Sequence, residues 1–386
     1  MKKTKPLLIF IICYLAYTAI YVARLNLTTA TPEFLAQTIL SQDQVGMIGS
    51  AFFVVYALGR IINGYIGDRT APWIMIAGGL LLGGIGNIFI GLLPPFWGIL
   101  VLWSVNAYAQ SMLWSSVIRI VSDIYPLEQA KKMMSYMVTS VATGNIIGIL
   151  LNTAIINRFG IGYAFIIPGS ILLIMCAAIC LTTRKVKPAV PEVKHMPLTS
   201  LAKDPKILSI LAPTMFHGVM KDNISLWMTA FFVAQYAIDL EASAAFVLFI
   251  PVVGLIGRLA YPALYKLYKG KERALIIHAF LLCTVASVLL LFKTIPPVVA
   301  ILCLSLIYAA ISVINTYLLS MFPLQFAASG NQSSVSGIMD FFTYLGAGIG
   351  SFAFGYLIKF AGYGAMYLCF AVISVISVII VKKKLS

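Results

Sequence analysis

Charge is what this chain has least of. Only 10% of its residues are Asp, Glu, Lys or Arg, against roughly 25% in a soluble domain, too few to clothe a water-facing surface. Acids are scarcer still, at 12 against 27 basic residues, and there are three histidines. The six cysteines, Cys13, Cys176, Cys180, Cys283, Cys303 and Cys369, all lie inside apolar stretches, where a small buried thiol is the ordinary reading. Cys176 and Cys180 are a helical turn apart, with no neighbouring His or third Cys to complete a metal set. No nucleophile–base set, metal motif or nucleotide loop is present, which excludes an enzyme and implies no cofactor. The N-terminal stretch, which could mimic a secretory signal, is expected to be the first membrane helix. The apolar stretch after Lys2, Lys3 and Lys5 runs from Leu7 beyond Ala23, longer than a signal core of roughly 7–15 residues.

What is there is hydrophobic: 61% of the chain, with a mean hydropathy of +0.98. Twelve apolar runs approach the ~20 residues that span a bilayer: about 7–29, 44–66, 73–93, 97–121, 133–156, 161–183, 207–236, 243–265, 274–292, 296–321, 332–357 and 363–381. Pro94-Pro95, Pro126, Gly160, Pro296-Pro297, Pro323 and Gly362 punctuate them. The predicted class is an all-α membrane protein of twelve transmembrane helices. Residues 184–206 are polar, hold four prolines and carry no apolar run. They read as a cytoplasmic linker between a bundle over 1–183 and another over 207–386.

Basic residues crowd the cytoplasmic loops of membrane proteins. With both termini and the linker in the cytoplasm, nineteen basic residues fall on that side and three, Arg158, Lys293 and Lys359, on the other. The net charge of +15 is then topology in a lipid bilayer, not a nucleic-acid footprint. A bacterial cytoplasmic membrane is the expected home.

The halves repeat. Tyr125-Pro126-Leu127 returns as Phe322-Pro323-Leu324, Gly59-Arg60 as Gly257-Arg258, Arg24-Leu25-Asn26 as Lys221-Asp222-Asn223, and Arg158-Phe159 as Lys359-Phe360, at offsets of 197 to 201. A parallel repeat of this kind predicts two pseudo-symmetric six-helix bundles with a site where they meet.

Charges inside the apolar runs cost at least ~2.5–3.5 kcal/mol each and mark function by default. Arg24 and Lys221 are repeat mates, and two cations facing one cavity would be relieved by an anion; Arg offers a planar fork and Lys a point charge. Tyr17, Tyr21 and Arg24 share one helix face. Asn26, Asn223, Trp114 and Arg60 complete the candidate lining, Arg60 either in the inner vestibule or snorkelling to the interface. Asp222 adjoins Lys221, but neighbours on a helix point ~100° apart, so Asp340 is the expected counter-ion, or else a proton-coupling carboxylate. His217 is one turn before Lys221. Asp68 and Arg119 are expected to form an ion pair at a helix end, beside Arg69. Gly144, Gly148, Gly346, Gly348 and Gly350 are small residues suited to close helix packing.

Gly64-Tyr-Ile-Gly-Asp68-Arg69 resembles the loop motif of the major facilitator superfamily. Tyr17-Thr-Ala-Ile-Tyr21-Val-Ala-Arg24-Leu-Asn26, Asn106-x-x-x-Gln110-x-Met112-x-Trp114 and Phe341-Phe342-Thr-Tyr344-Leu345-Gly346 resemble the first, fourth and eleventh helices of its organophosphate:phosphate antiporters. The resemblance implies the major facilitator fold in a monomer. It also implies a phosphate clamp with Arg24 as one arm and Lys221 where a second Arg stands, Arg60 as a basic residue of the second helix, and Asp68 with Arg119 as a conformational latch. The expected function is alternating-access transport of a small organic anion, a phosphorylated metabolite, in exchange for phosphate. The rivals are a proton-coupled carrier of a carboxylate, drug or siderophore, working through Asp340, and a membrane sensor of organophosphates. Short tails, Met1–Pro6 and Lys382–Ser386, argue against the sensor.

Overall fold

A computed structural model describes residues 6–184, 196–237, 240–292 and 294–384. All twelve apolar runs are helical within these residues. In chain order the helices are α1 (Pro6–Arg24), α2 (Asn26–Ala36), α3 (Gln42–Arg69), α4 (Pro72–Gly91), α5 (Phe96–Ser111), α6 (Leu113–Ile124), α7 (Leu127–Met137), α8 (Thr139–Phe159) and α9 (Tyr163–Thr183). Then follow α10 (Leu198–Leu201), α11 (Pro205–Tyr236), α12 (Leu240–Leu267), α13 (Glu272–Leu289), α14 (Pro297–Thr316), α15 (Phe322–Leu324) and α16 (Gln332–Lys384). Residues 185–195 of the expected linker lie outside the described residues, and with them His195; α10 is a short helix near the linker's end.

The punctuation acts where backbone chemistry says it should. Pro95, Pro126 and Pro296 stand immediately before α5, α7 and α14, positions that lose nothing from a missing N–H. Ser41 opens α3 with a capping box: its hydroxyl accepts from the Gln44 N–H while the Gln44 side chain accepts from the Ser41 N–H. Gly160 ends α8 at φ 91°, and Gly362, at φ 73°, breaks α16 into two successive helices; both sit in the left-handed half of φ space that glycine enters freely.

Two compact units are present, Met1–Met196 with Pro323–Ile338, and Pro197–Phe322 with Met339–Ser386. In the first, α4 packs along α9, α3 along α5, and α1 along α8 and α9. In the second, α14 packs against α11, α12 and α13. Among the described residues, eight helical segments are long and apolar enough to cross a membrane by length and composition. Their outer faces carry bare apolar side chains, among them Leu150, Ile174, Leu181 and Phe360, which suits lipid and would not suit water. Inside, the helices approach closely at glycine. A methyl group on Gly144 would come 2.5 Å from Tyr21 Cβ, and one on Gly350 within 2.7 Å of the Asn223 amide. Gly348, expected to do the same, faces open space.

Candidate functional site

In the first unit the site grows from one face of each of two helices. Tyr17, Tyr21 and Arg24 recur at steps of four and three along α1; Phe52, Tyr56 and Arg60 recur at steps of four along α3. The Arg24 guanidinium lies over three rings, 4.7 Å from Phe52, 4.9 Å from Tyr56 and 5.6 Å from Tyr21. Phe52 and Tyr56 stack 5.7 Å apart at 10°. Below them Tyr17 and Trp114 are buried, with ring centroids 4.8 Å apart, and Tyr17 meets Tyr21 at 5.4 Å. The ring faces attract the cation through their quadrupole. Backbone interruptions frame the cluster: Leu25 separates α1 from α2 directly after Arg24, and Met112 separates α5 from α6 two residues before Trp114. Broken helices at membrane depth belong where protein or a wet cavity satisfies the freed backbone.

Spacing had already aligned Tyr17, Tyr21 and Arg24. Phe52 and Tyr56 were missed. Their signal, the same four-residue step ending on Arg60, is present in the sequence and looks like ordinary core.

Several expected lining residues are placed otherwise. Arg60 is 1% exposed and donates to the Ser111 carbonyl at 3.2 Å; it neither snorkels nor offers its charge to an open vestibule, because its guanidinium is enclosed and shares the Tyr56 ring at 5.8 Å. Asn26 is fully buried. It donates to Asn87 Oδ1 at 2.5 Å, and its own Oδ1 accepts from the Leu27 N–H at the helix break. Asn223 is also fully buried, donating to the Val219 and Ala347 carbonyls. Both asparagines tie helices together, as polar groups in hydrocarbon must.

In the second unit Lys221 of α11 lies 5.6 Å from the centre of the Tyr344 ring of α16. Its ammonium also forms an ion pair with Asp222 at 3.1 Å, which corrects the expectation that adjacent residues would not meet. The 100° rule concerns the directions in which side chains leave the helix; a four-carbon lysine stem can curl back across that angle. Asp340 is buried on α16, one turn before Tyr344. His217 is buried one turn before Lys221, within electrostatic reach of Lys221 and Arg258. Neither of its ring nitrogens meets a hydrogen-bond partner among the described residues.

The end of α3 forms a separate cluster in the first unit. The buried Asp68 carboxylate accepts the Ser333 N–H at 2.8 Å and the Ser334 N–H at 2.7 Å, capping the start of α16. Arg119 donates to the Gly67 carbonyl and, at 2.8 Å, to the Thr70 carbonyl, capping the end of α3. The expected Asp68–Arg119 ion pair is absent among the described residues. Each charge instead answers a helix terminus of opposite sign. Arg69 stacks on Tyr65 at 3.5 Å and donates to the Met196 carbonyl at 3.1 Å, while the Met196 N–H donates to Asn331. Ser333 and Ser334 were missed because they act through backbone N–H groups, which leave no mark in a side-chain pattern.

Comparison with known proteins gives the cations a context. Over 167 residues the chain is 29% identical to a probable hexose phosphate transport protein of Chlamydia trachomatis, a match covering 43% of this chain and 37% of that protein. It is 23% identical to the phosphoglycerate transporter protein of Salmonella typhimurium over 394 residues, covering 92% of this chain and 84% of the relative. Its fold matches that of the transporter FucP, solved in the outward conformation, with a TM-score of 0.77 and 17% identity over 97% of this chain and 98% of FucP. The matches to relatives such as the Chlamydia protein span less than half of those proteins' length. The Major Facilitator Superfamily model matches residues 13–351, so this chain is a multi-pass membrane protein that belongs to that superfamily.

Proposed function

We propose that this transporter carries a small organic anion, a phosphorylated metabolite, by alternating access. Arg24 and its repeat mate Lys221 supply the positive charge. The observation that carries the reading is the Arg24 guanidinium held over three aromatic rings on a membrane helix. The ring faces attract the cation, and an arginine's planar fork is suited to donate paired hydrogen bonds to phosphate or carboxylate. Relatives named for hexose phosphate and phosphoglycerate support the phosphorylated class, and the organophosphate:phosphate resemblance makes inorganic phosphate the natural counter-substrate. Asp68, Arg69 and Arg119 would serve as the conformational latch. The nineteen-to-three split of basic residues supports cytoplasmic termini, with a bacterial cytoplasmic membrane as the setting and a monomer as the working unit.

The test is a melting-temperature screen of the purified protein against phosphorylated and carboxylated metabolites, since a ligand that binds the native state raises its melting temperature by mass action. A phosphorylated compound should stabilise wild type and fail to stabilise Arg24→Ala. Stabilisation by carboxylates or neutral compounds alone would overturn the phosphate reading. The buried Asp340 favours the second reading, a proton-coupled carrier of a carboxylate, drug or siderophore. In that case Asp340→Asn would bind substrate and not transport it.

A further inference from the structure

The repeat aligns Arg24-Leu25-Asn26 with Lys221-Asp222-Asn223. Where the first half has an inert Leu25, the second has a carboxylate, and it lies 3.1 Å from the cation it follows. The pair is only part-buried: the Lys221 side chain is 18% exposed and that of Asp222 39%. A pair so placed can exchange partners.

We propose that Asp222 is a tethered competitor for the anionic substrate, holding the Lys221 ammonium in the empty transporter and yielding it when substrate binds. The proposal rests on the reading of Lys221 as an anion ligand. An ammonium in a membrane helix is costly when uncompensated, and Asp222 removes that cost from the empty state. Loading then replaces one ion pair by another, so the net gain at Lys221 is a difference rather than a full ion pair. A carboxylate on the adjacent residue competes at an effective concentration on the order of millimolar or above. Asp222 therefore lowers the apparent affinity of every anion that must displace it from Lys221, and by the same factor. It also keeps binding from becoming so tight that release stalls, since a ligand shifts a conformational equilibrium only by its differential affinity for the two states.

The experiment measures melting temperature against inorganic phosphate and against acetate for the full chain in detergent, in wild type, Asp222→Asn, Asp222→Ser, Asp222→Glu and Arg24→Ala. Removing the competitor should lower the apparent Kd for phosphate by roughly 3- to 10-fold, the range expected of a part-exposed ion pair. Acetate, which must displace the same carboxylate, should gain by the same factor. Asp222→Glu should behave as wild type. The serine variant stands in should the asparagine variant fail to fold. A phosphate response in the neutral variants with none in wild type would equally support the competitor. Unchanged or weaker phosphate binding in both neutral variants, with binding lost in Arg24→Ala, would overturn the role of Asp222 and leave the anion site standing. Wild-type phosphate binding in Arg24→Ala, or no response in any protein, would overturn the anion site and this proposal with it.

Discussion

Helices α1 and α11 are repeat mates, and they agree in how they pack while differing in how they hold a charge. Each runs against a glycine-lined neighbour in its own unit. Gly144 and Gly148 of α8 meet Thr18, Tyr21 and Val22 of α1; Gly346 and Gly350 of α16 meet Met215, Val219 and Asn223 of α11, and Gly218 of α11 meets the Thr343 backbone. Yet Arg24 is stacked on three rings, whereas Lys221 has one ring and a carboxylate. The packing of a helix pair is shared architecture. The handling of its charge is where the halves have parted, and it follows the cation: a flat guanidinium stacks, and a compact ammonium seeks an anion.

Breaking the shared part should cost most. A methyl group on Gly218 would overlap the Thr343 carbonyl of the facing helix, and backbone cannot move aside as a flexible side chain can. Gly218→Ala should abolish the monodisperse peak in detergent size-exclusion chromatography. Gly348→Ala, on the partner helix with open space around it, should keep wild-type yield and gain up to ~1 kcal/mol from helix propensity.

Next comes the difference between the cations. Arg24→Lys places an ammonium where three rings and a planar fork were used together, and uptake in reconstituted vesicles should fall by more than about 10-fold, the loss expected of a bidentate contact. Lys221→Arg keeps a charge beside Asp222 and should stay within about 3-fold of wild type. Equal losses in both variants would show that the halves use their charges alike.

The helical architecture was legible because bilayers demand apolar runs of fixed length, and because Pro95, Pro126 and Pro296 open helices and Gly160 and Gly362 end them by chemistry that needs no tertiary context. Tyr17, Tyr21 and Arg24 were legible because a cation on an apolar helix makes its whole face conspicuous. Phe52 and Tyr56 were not, since an aromatic in an apolar run looks the same whether it packs against leucine or carries a guanidinium. The partners of Asn26 and Asn223 were not legible because a polar residue in a membrane helix can line a cavity or join helices, and its own type does not name its partner. The Ser111 carbonyl beside Arg60 was not legible either, since distance along the sequence from a helix end says nothing of it. Residues 185–195 of the expected linker over 184–206 lie outside those described.

A second difference between the halves lies at the ends of α3 and α12. Asp68 aligns with Lys266, and Arg119 with Tyr317, at the 198-residue offset that also relates Arg60 to Arg258. Asp68 is buried and holds two N–H groups of α16, whereas Lys266 is exposed. Asp68→Asn removes the charge from two charge-assisted bonds and should destabilise the protein by roughly 1.5–3 kcal/mol, read as a lower melting temperature without ligand. Lys266→Ala should leave the melting temperature unchanged. A comparable fall in both would mean that the cap at the start of α16 contributes no more than an exposed charge does.

The smallest effect should come from the rings themselves. Tyr56 contacts two cations, at 4.9 Å from Arg24 and 5.8 Å from Arg60, and it stacks on Phe52. Tyr56→Phe keeps the ring and its quadrupole, so ligand affinity in the melting-temperature assay should not change. Tyr56→Leu keeps most of the apolar volume and removes the quadrupole; at ~0.5–1 kcal/mol for a cation–π contact, affinity should fall by about 2- to 5-fold. Because Phe52 and Tyr21 remain beneath the guanidinium, the orientation of Arg24 should survive, and the loss should appear as weaker binding with maximal transport rate preserved. A loss of maximal rate in Tyr56→Leu would mean that this ring positions Arg24 rather than merely cushioning its charge.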